Sequence, residues 1–198
     1  MITEKMNAKD IIKEFKKDLK DINKHFGKHY EKCFKRQVLQ STKFPFVPDP
    51  LHFTSSRKNK YLMYIEAKKR SDWKNNKYYY VCYNNSTAYM YCIDLDSILI
   101  FPPHFFSRYR ERFIKNNNIT TQQVIIKYFK HNLIISIKLN TKDKTFMGSC
   151  NDGIVFGKYN NGLAIVKTFI SRDMLFEKQK KLNLKLEKIR EKTWKQIA

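Results

Sequence analysis

The sequence predicts an α+β protein with antiparallel sheet, and three observations carry the prediction. Apolar residues recur every three or four positions over residues 7–40. Short β-branched and aromatic runs follow over residues 61–101, separated by polar turns. Two further helical stretches then lead into a second set of strand-like runs over residues 133–170.

Residues 1–42 form the N-terminal helical segment. Ile11, Ile12, Phe15, Leu19, Ile22 and Phe26 share one face, Gly27 marks a break, and Tyr30, Phe34 and Val38 continue as a second helix. Residues 43–50, KFPFVPDP, cannot stay helical. Pro45, Pro48 and Pro50 lack amide donors and push their predecessors toward extended geometry. They are the expected linker to an α+β domain over residues 51–198, which opens with an antiparallel meander (51–101) of strands at 61–67, 77–83, 87–93 and 97–101.

Pro102 and Pro103 end the last of these strands and pre-set a helix carrying His104. A second helix over 120–132 has Thr120 or Thr121 as its cap, with Val124, Ile125, Tyr128 and Phe129 on its packed side. Strands at 133–139, 145–150, 153–159 and 163–170 complete a helix-helix-sheet unit (102–170), with Asn160-Asn161-Gly162 as a tight hairpin. Residues 171–198 read as a basic helix with Leu175, Leu182, Leu186 and Ile189 on one side.

A chain of 198 residues suits one domain with appendages, or at most two small ones. Its 42% hydrophobic content, with 15 Phe and 12 Tyr, supports a real core and excludes wholesale disorder. No apolar run has the length of a membrane span, and the opening residues lack the apolar segment of a secretory signal, so a cytoplasmic protein is expected. Cys33, Cys82, Cys92 and Cys150 are widely spaced, with no CxxC pair, and read as structural thiols.

The formal charge is +22, from 40 Lys and Arg against 18 Asp and Glu. Coding bias enriches Lys and Asn but does not require a deficit of acids. The balance favours a polyanionic partner, nucleic acid first, over an anionic membrane, because the basic helices lack the exposed apolar stripe of an interfacial anchor.

The stretch FPPHFFSRYRERF concentrates the candidate chemistry. At about 100° per residue, His104, Arg108, Glu111, Arg112 and Lys115 fall within about a third of a turn, beside an arc of Phe105, Phe106, Tyr109 and Phe113. Guanidiniums hold an anion and an imidazole moves a proton near neutral pH, which suits phosphate chemistry. A solvated amphipathic face is the plainer alternative, with Glu111 paired to Arg108 or Lys115 on its own helix. Tyr78 and Tyr80 alternate onto one sheet face where unpaired bases can stack, with Lys74 and Lys77 at its edge; core packing is the competing reading.

Other candidates are weaker. His25 and His29 have a metal-compatible spacing without a completing ligand, and Asp94 and Asp96 fit a turn better than a magnesium site, so no metal is expected. His52 and His131 stand near element ends and read as exposed or capping residues, and Asp152-Gly153 is a turn signal. There is no phosphate-cradling glycine loop and no nucleophile elbow, so no cofactor is expected, and nucleotide hydrolysis and serine-type acyl transfer are disfavoured.

The helix HFFSRYRERF, the second helix introduced by ITTQQV, and the strands ending in GLAIVKTFIS resemble the core of the bacterial ribonuclease-toxin superfamily, which includes RelE-like and barnase-like proteins. The resemblance covers about residues 98–171. It implies a metal-independent endoribonuclease, or a non-catalytic relative that grips RNA, with an acidic antitoxin-like protein as partner. Carried over by residue, His104 and Arg108 match the start of the helix motif, Glu111-Arg112 its ER pair, and Thr168 a polar position near the end of the last strand. His104 would then be base or acid, Arg108 and Arg112 would hold the phosphate, and Lys167, Thr168 or Ser171 would approach from the last strand, with Lys115 as a further nucleic-acid contact. Successive strand residues alternate faces, so Lys167 and Thr168 share a site only where the strand is bulged or ends. Residues 1–97 have no counterpart in that core. The leading expectation is therefore nucleic-acid binding, RNA ahead of DNA, with metal-independent cleavage. The competing reading is a non-enzymatic RNA- or DNA-binding or protein-interaction module, its C-terminal leucines docked on the first helix or on a partner.

Overall fold

The computed structural model describes residues 1–3, 5–74, 77–92, 97–160 and 162–196. Helices and antiparallel strand pairs build it together, as the α+β class requires. Its contacts group into two compact units, residues 1–84 with 89–98, and residues 85–88 with 99–198. The proline-rich residues 43–50 therefore lie within the first unit, where the Phe46 amide donates to the Ala67 carbonyl at 2.7 Å. No helix of the described residues is long and apolar enough to cross a membrane.

The first unit opens with α1 (Ala8–Phe26) and α2 (Lys28–Gln40). The Asn7 side chain caps α1 by accepting from the Asp10 amide. Ile11, Phe15, Ile22, Phe34 and Val38 are fully buried, as the three-to-four spacing requires. Strands β1 (Leu51–Thr54), β2 (Lys60–Glu66), β3 (Lys77–Asn84) and β4 (Thr87–Cys92) lie in that spatial order, β1–β2 and β2–β3 antiparallel. The four-residue β1 was not expected from the sequence, since a run that short carries almost no periodic signal.

Strand β5 (Ser97–Phe101), which enters the second unit at Leu99, leads into α3 (Pro103–Tyr109), a π turn over Arg110–Ile114, and α4 (Thr121–His131). The meander β6 (Ser136–Asn140), β7 (Thr145–Ser149), β8 (Gly153–Asn160) and β9 (Leu163–Ser171) follows, and β9 takes the place next to β5, giving the order β5-β9-β8-β7-β6. Thr120 is the cap of α4, its hydroxyl accepting from the Gln123 amide while the Gln123 side chain accepts from the Thr120 amide. Phe101, Phe105, Phe106, Tyr109, Tyr128, Phe129 and Phe169 are buried together as an edge-to-face aromatic core, with Phe105 and Tyr128 centroids 5.0 Å apart.

Two expectations change here. The helix carrying His104 stops being α-helical at Tyr109: the Lys115 amide closes onto the Arg110 carbonyl at 2.8 Å, an i to i−5 bond, and Lys115 turns left-handed at φ 54° to end it. The leucine side expected on the C-terminal helix α5 (Glu177–Gln196) is only partly an inner face: Leu182 and Leu186, with Leu175 just before the helix, cover Met147 of β7 and Ile154 of β8, while Ile189 is 53% exposed.

A bulge phases β9. Phe156 pairs with Thr168 but Gly157 pairs with Val166, which leaves Lys167 as the extra residue. Burial changes phase across it: Ala164 and Val166 are buried before the bulge, Phe169 and Ser171 after it. Gly157 is required at this point, because a Cβ there would meet the Ile165 carbonyl and the Phe146 ring.

Candidate nucleic-acid interface

Helix α1 separates its charges by side. At about 100° per residue, Lys9, Lys13, Lys16, Lys17 and Lys20 occupy an arc of about 100°, and Asp10, Glu14, Asp18 and Asp21 occupy the adjoining one. All five lysines are exposed, and with Ile12 they line one shallow concavity. The last three acids are turned toward the β1–β2 turn and consumed there. Arg57 grips Glu14 with two hydrogen bonds of 2.8 Å, and Lys17 stands 3.4 Å from the same carboxylate. Asp18 is fully buried and accepts from the Asn59 amide and the Tyr61 hydroxyl, while Asp21 accepts from Ser56. The Arg57 hydrogen bonds, chiefly, hold the Glu14 carboxyl down at about 2, so it stays ionised and engaged. Anchoring acids point inward and the lysines are exposed, Lys17 leaning on Glu14.

The residues expected around His104 are only partly gathered. Arg112 donates to the Phe169 carbonyl at 2.6 Å and reaches the Thr168 hydroxyl at 3.4 Å, so helix and last strand do bring those two together. The bulge places exposed Lys167 beside half-buried Thr168 outside the buried row, the one arrangement in which consecutive strand residues share a side. Arg108 pairs instead with Glu111 at 3.0 Å, the solvated alternative. His104 is exposed, and no described residue holds it by a hydrogen bond or ion pair. It precedes Arg112 by about 11 Å of helix axis, too far for both to work one phosphate while Arg112 is committed to β9. Lys115 is exposed at the helix end.

Tyr78 and Tyr80 share a sheet face, as alternation predicts, but that face is the one packed beneath the first two helices. Tyr61 on the same face meets Phe15 at 5.6 Å, the Tyr78 hydroxyl donates to Glu31 of α2 at 3.3 Å, and Tyr78 and Tyr80 are half-buried. Burial raises the Tyr80 phenol above its usual range. Lys74 is exposed and lies 5.5 Å from the Trp73 ring, which Lys35 covers at 4.0 Å. The Lys77 and His29 side chains, and Asp94 with Asp96, lie outside the described residues. Cys82 and Cys150 are buried free thiols and Cys33 is exposed.

One cluster escaped the sequence reading. Asp152, in the β7–β8 turn, accepts from the Tyr109 hydroxyl at 2.5 Å and from the Asn132 amide at 2.8 Å, and its Oδ2 stands 3.4 Å from His131 Nδ1. Burial pushes the Asp152 carboxyl up, but hydrogen bonds from His131, Tyr109 and Asn132 outweigh it and hold the group below its ordinary range. The carboxylate is 10% exposed and the imidazole 51%, so His131 is an oriented imidazole with its other nitrogen free to meet solvent. Such a pair can move a proton, and it also ties the end of α4 to the turn and to α3. Nothing in sequence spacing announces it, since the partners of Asp152 lie 20 and 43 residues away.

No known protein family, curated protein or solved structure matches the chain.

Proposed function

We propose that this chain is a nucleic-acid-binding protein, RNA ahead of DNA, that grips phosphates through the lysine side of α1. The observation that carries the reading is the charge separation on that helix: six exposed lysines, Lys24 with the five above, share one arc, while Asp18 and Asp21 are bonded to the β1–β2 turn and its neighbours and Glu14 is held chiefly by Arg57, with Lys17 beside it. Phosphate contacts supply sequence-independent affinity through counterion release. RNA is preferred because residues 98–171 carry the helix-helix-sheet order of the ribonuclease-toxin resemblance. An acidic antitoxin-like protein would compete for the same lysines. Anisotropy titration of a labelled RNA at 50 and 200 mM salt tests the reading. Binding that weakens steeply with salt is expected, and absent or salt-independent binding overturns it.

Metal-independent RNA cleavage is a second reading, favoured by one observation: the His131–Asp152 pair supplies an imidazole already oriented by a carboxylate, which His104 lacks. Cleavage in EDTA that is lost in His131→Gln and kept in His52→Gln supports it. Intact RNA with the wild-type protein removes it while leaving the binding reading in place.

A further inference from the structure

We propose that the lysine side of α1 is a docking surface for double-stranded RNA, held through its phosphates without contacts to the bases. The inference rests on the nucleic-acid reading above and narrows it to one substrate class.

Single-strand binders combine a cationic track with aromatic rings on which successive bases stack. Among the described residues, the concavity on the lysine side of α1 is lined by cations without rings: Lys9, Lys13, Lys16, Lys17 and Lys20 share it with Ile12. Tyr91, with Lys16 Nζ 6.0 Å above its ring, is half-buried. The rings that alternation had offered for stacking, Tyr78 and Tyr80, are half-buried on the helix-covered face.

The distribution of charge in two dimensions also fits a duplex. From Lys9 to Lys20 the row runs about 16 Å along the axis, and its arc spreads the ammonium groups across a helix about 10–12 Å wide. A single strand offers one file of phosphates, whereas a duplex offers two backbones and one charge per about 1.7 Å of axis.

The choice of an RNA duplex follows from how α1 is seated. Its inner side is fixed to the sheet by Ile11, Phe15 and Ile22, all fully buried, and by the bonds of Asp18 to Asn59 and Tyr61. A helix held this way offers its lysines as a surface of low relief, around one shallow concavity. The major groove of B-form DNA is about 8.5 Å deep and is read by helices that protrude into it. The A-form minor groove is wide and shallow, flanked by phosphates and 2′-hydroxyls, and accepts a cationic surface of low relief.

The test is anisotropy with the full chain at one fixed salt concentration. Its probes are a labelled RNA duplex, one of its strands chosen not to self-pair, the matching DNA duplex, and an RNA duplex of unrelated sequence. The RNA duplex is expected to bind at least about tenfold tighter than its strand, and the unrelated duplex to bind equally well. Lys13→Glu with Lys20→Glu is expected to weaken duplex binding at least about tenfold, with thermal unfolding measured alongside to confirm that the variant is folded. Equal or tighter binding of the single strand, or of the DNA duplex, overturns this inference while the nucleic-acid reading stands. Unchanged duplex binding by the folded variant overturns the docking surface, and binding to none of the probes overturns both readings.

Discussion

Replacing Lys9, Lys13, Lys16 and Lys20 together by Gln removes four cations from one side of α1 and leaves the anchoring acids untouched. Glutamine has nearly the helix propensity of lysine, and all four side chains are exposed, so each substitution is expected to change stability by less than about 0.5 kcal/mol. If each lysine meets one phosphate of a duplex, the slope of log affinity against log salt flattens by about 0.9 per contact, or about 3–4 in all. Between 50 and 200 mM salt the wild type should therefore lose about a hundredfold more affinity than the variant. The assay is anisotropy over a salt series, with a second variant carrying Gln at Lys178, Lys181, Lys185 and Lys188 of α5, all exposed, as a control of equal charge. Equal slopes for wild type and the α1 variant refute the reasoning. So does an equal loss in both variants, because bulk charge rather than its placement on α1 would then be the cause.

Other positions give sharp expectations. Asp152→Ala strips the acceptor from the buried Tyr109 hydroxyl and Asn132 amide and should cost about 2–5 kcal/mol in urea unfolding; a loss under about 0.5 kcal/mol would show the cluster to be incidental. Glu14 has a folded pKa of about 2 against an ordinary 4.5, so the unfolded chain takes up the proton first and the contribution is whole above about 4.5. Stability should fall between pH 4.5 and 2 more steeply in wild type than in Glu14→Gln, and parallel curves would contradict the Arg57 clamp. Gly157→Ala forces a methyl against the Ile165 carbonyl and should cost at least about 1–3 kcal/mol in thermal unfolding, unless the bulge relaxes to admit it.

Regular elements were legible where periodicity and local chemistry agree. The apolar spacing of α1 and α2, the Gly27 break and the Thr120 cap are all encoded within a few neighbouring residues, and β5 stops where Pro102 and Pro103 require. The π turn was not legible, because the Lys115 amide chooses the i−5 carbonyl through packing rather than composition. Alternation correctly put Tyr78 and Tyr80 on one face but carried no information about what covers it. The lysine side of α1 was present in the spacing, yet summing charge along the chain hid it. It emerges only once Arg57, Asn59, Tyr61 and Ser56 are seen to engage the neighbouring acids. For the same reason His131 read as an end residue, since its partner Asp152 comes from another hairpin.

The extra residue at Lys167 gives β9 an outward side chain that its pairing with β8 does not require. Before it, even-numbered residues Ala164 and Val166 face inward; after it, odd-numbered Phe169 and Ser171 do. Deleting Lys167 would leave Val166 followed by Thr168, so Ala164, Val166, Phe169 and Ser171 would all still face inward in plain alternation and Phe169 would keep its contacts with Tyr109 and Phe105. What the bulge contributes is therefore not the inward row but the adjacent outward pair, Lys167 and Thr168, which a strand without it would not present side by side.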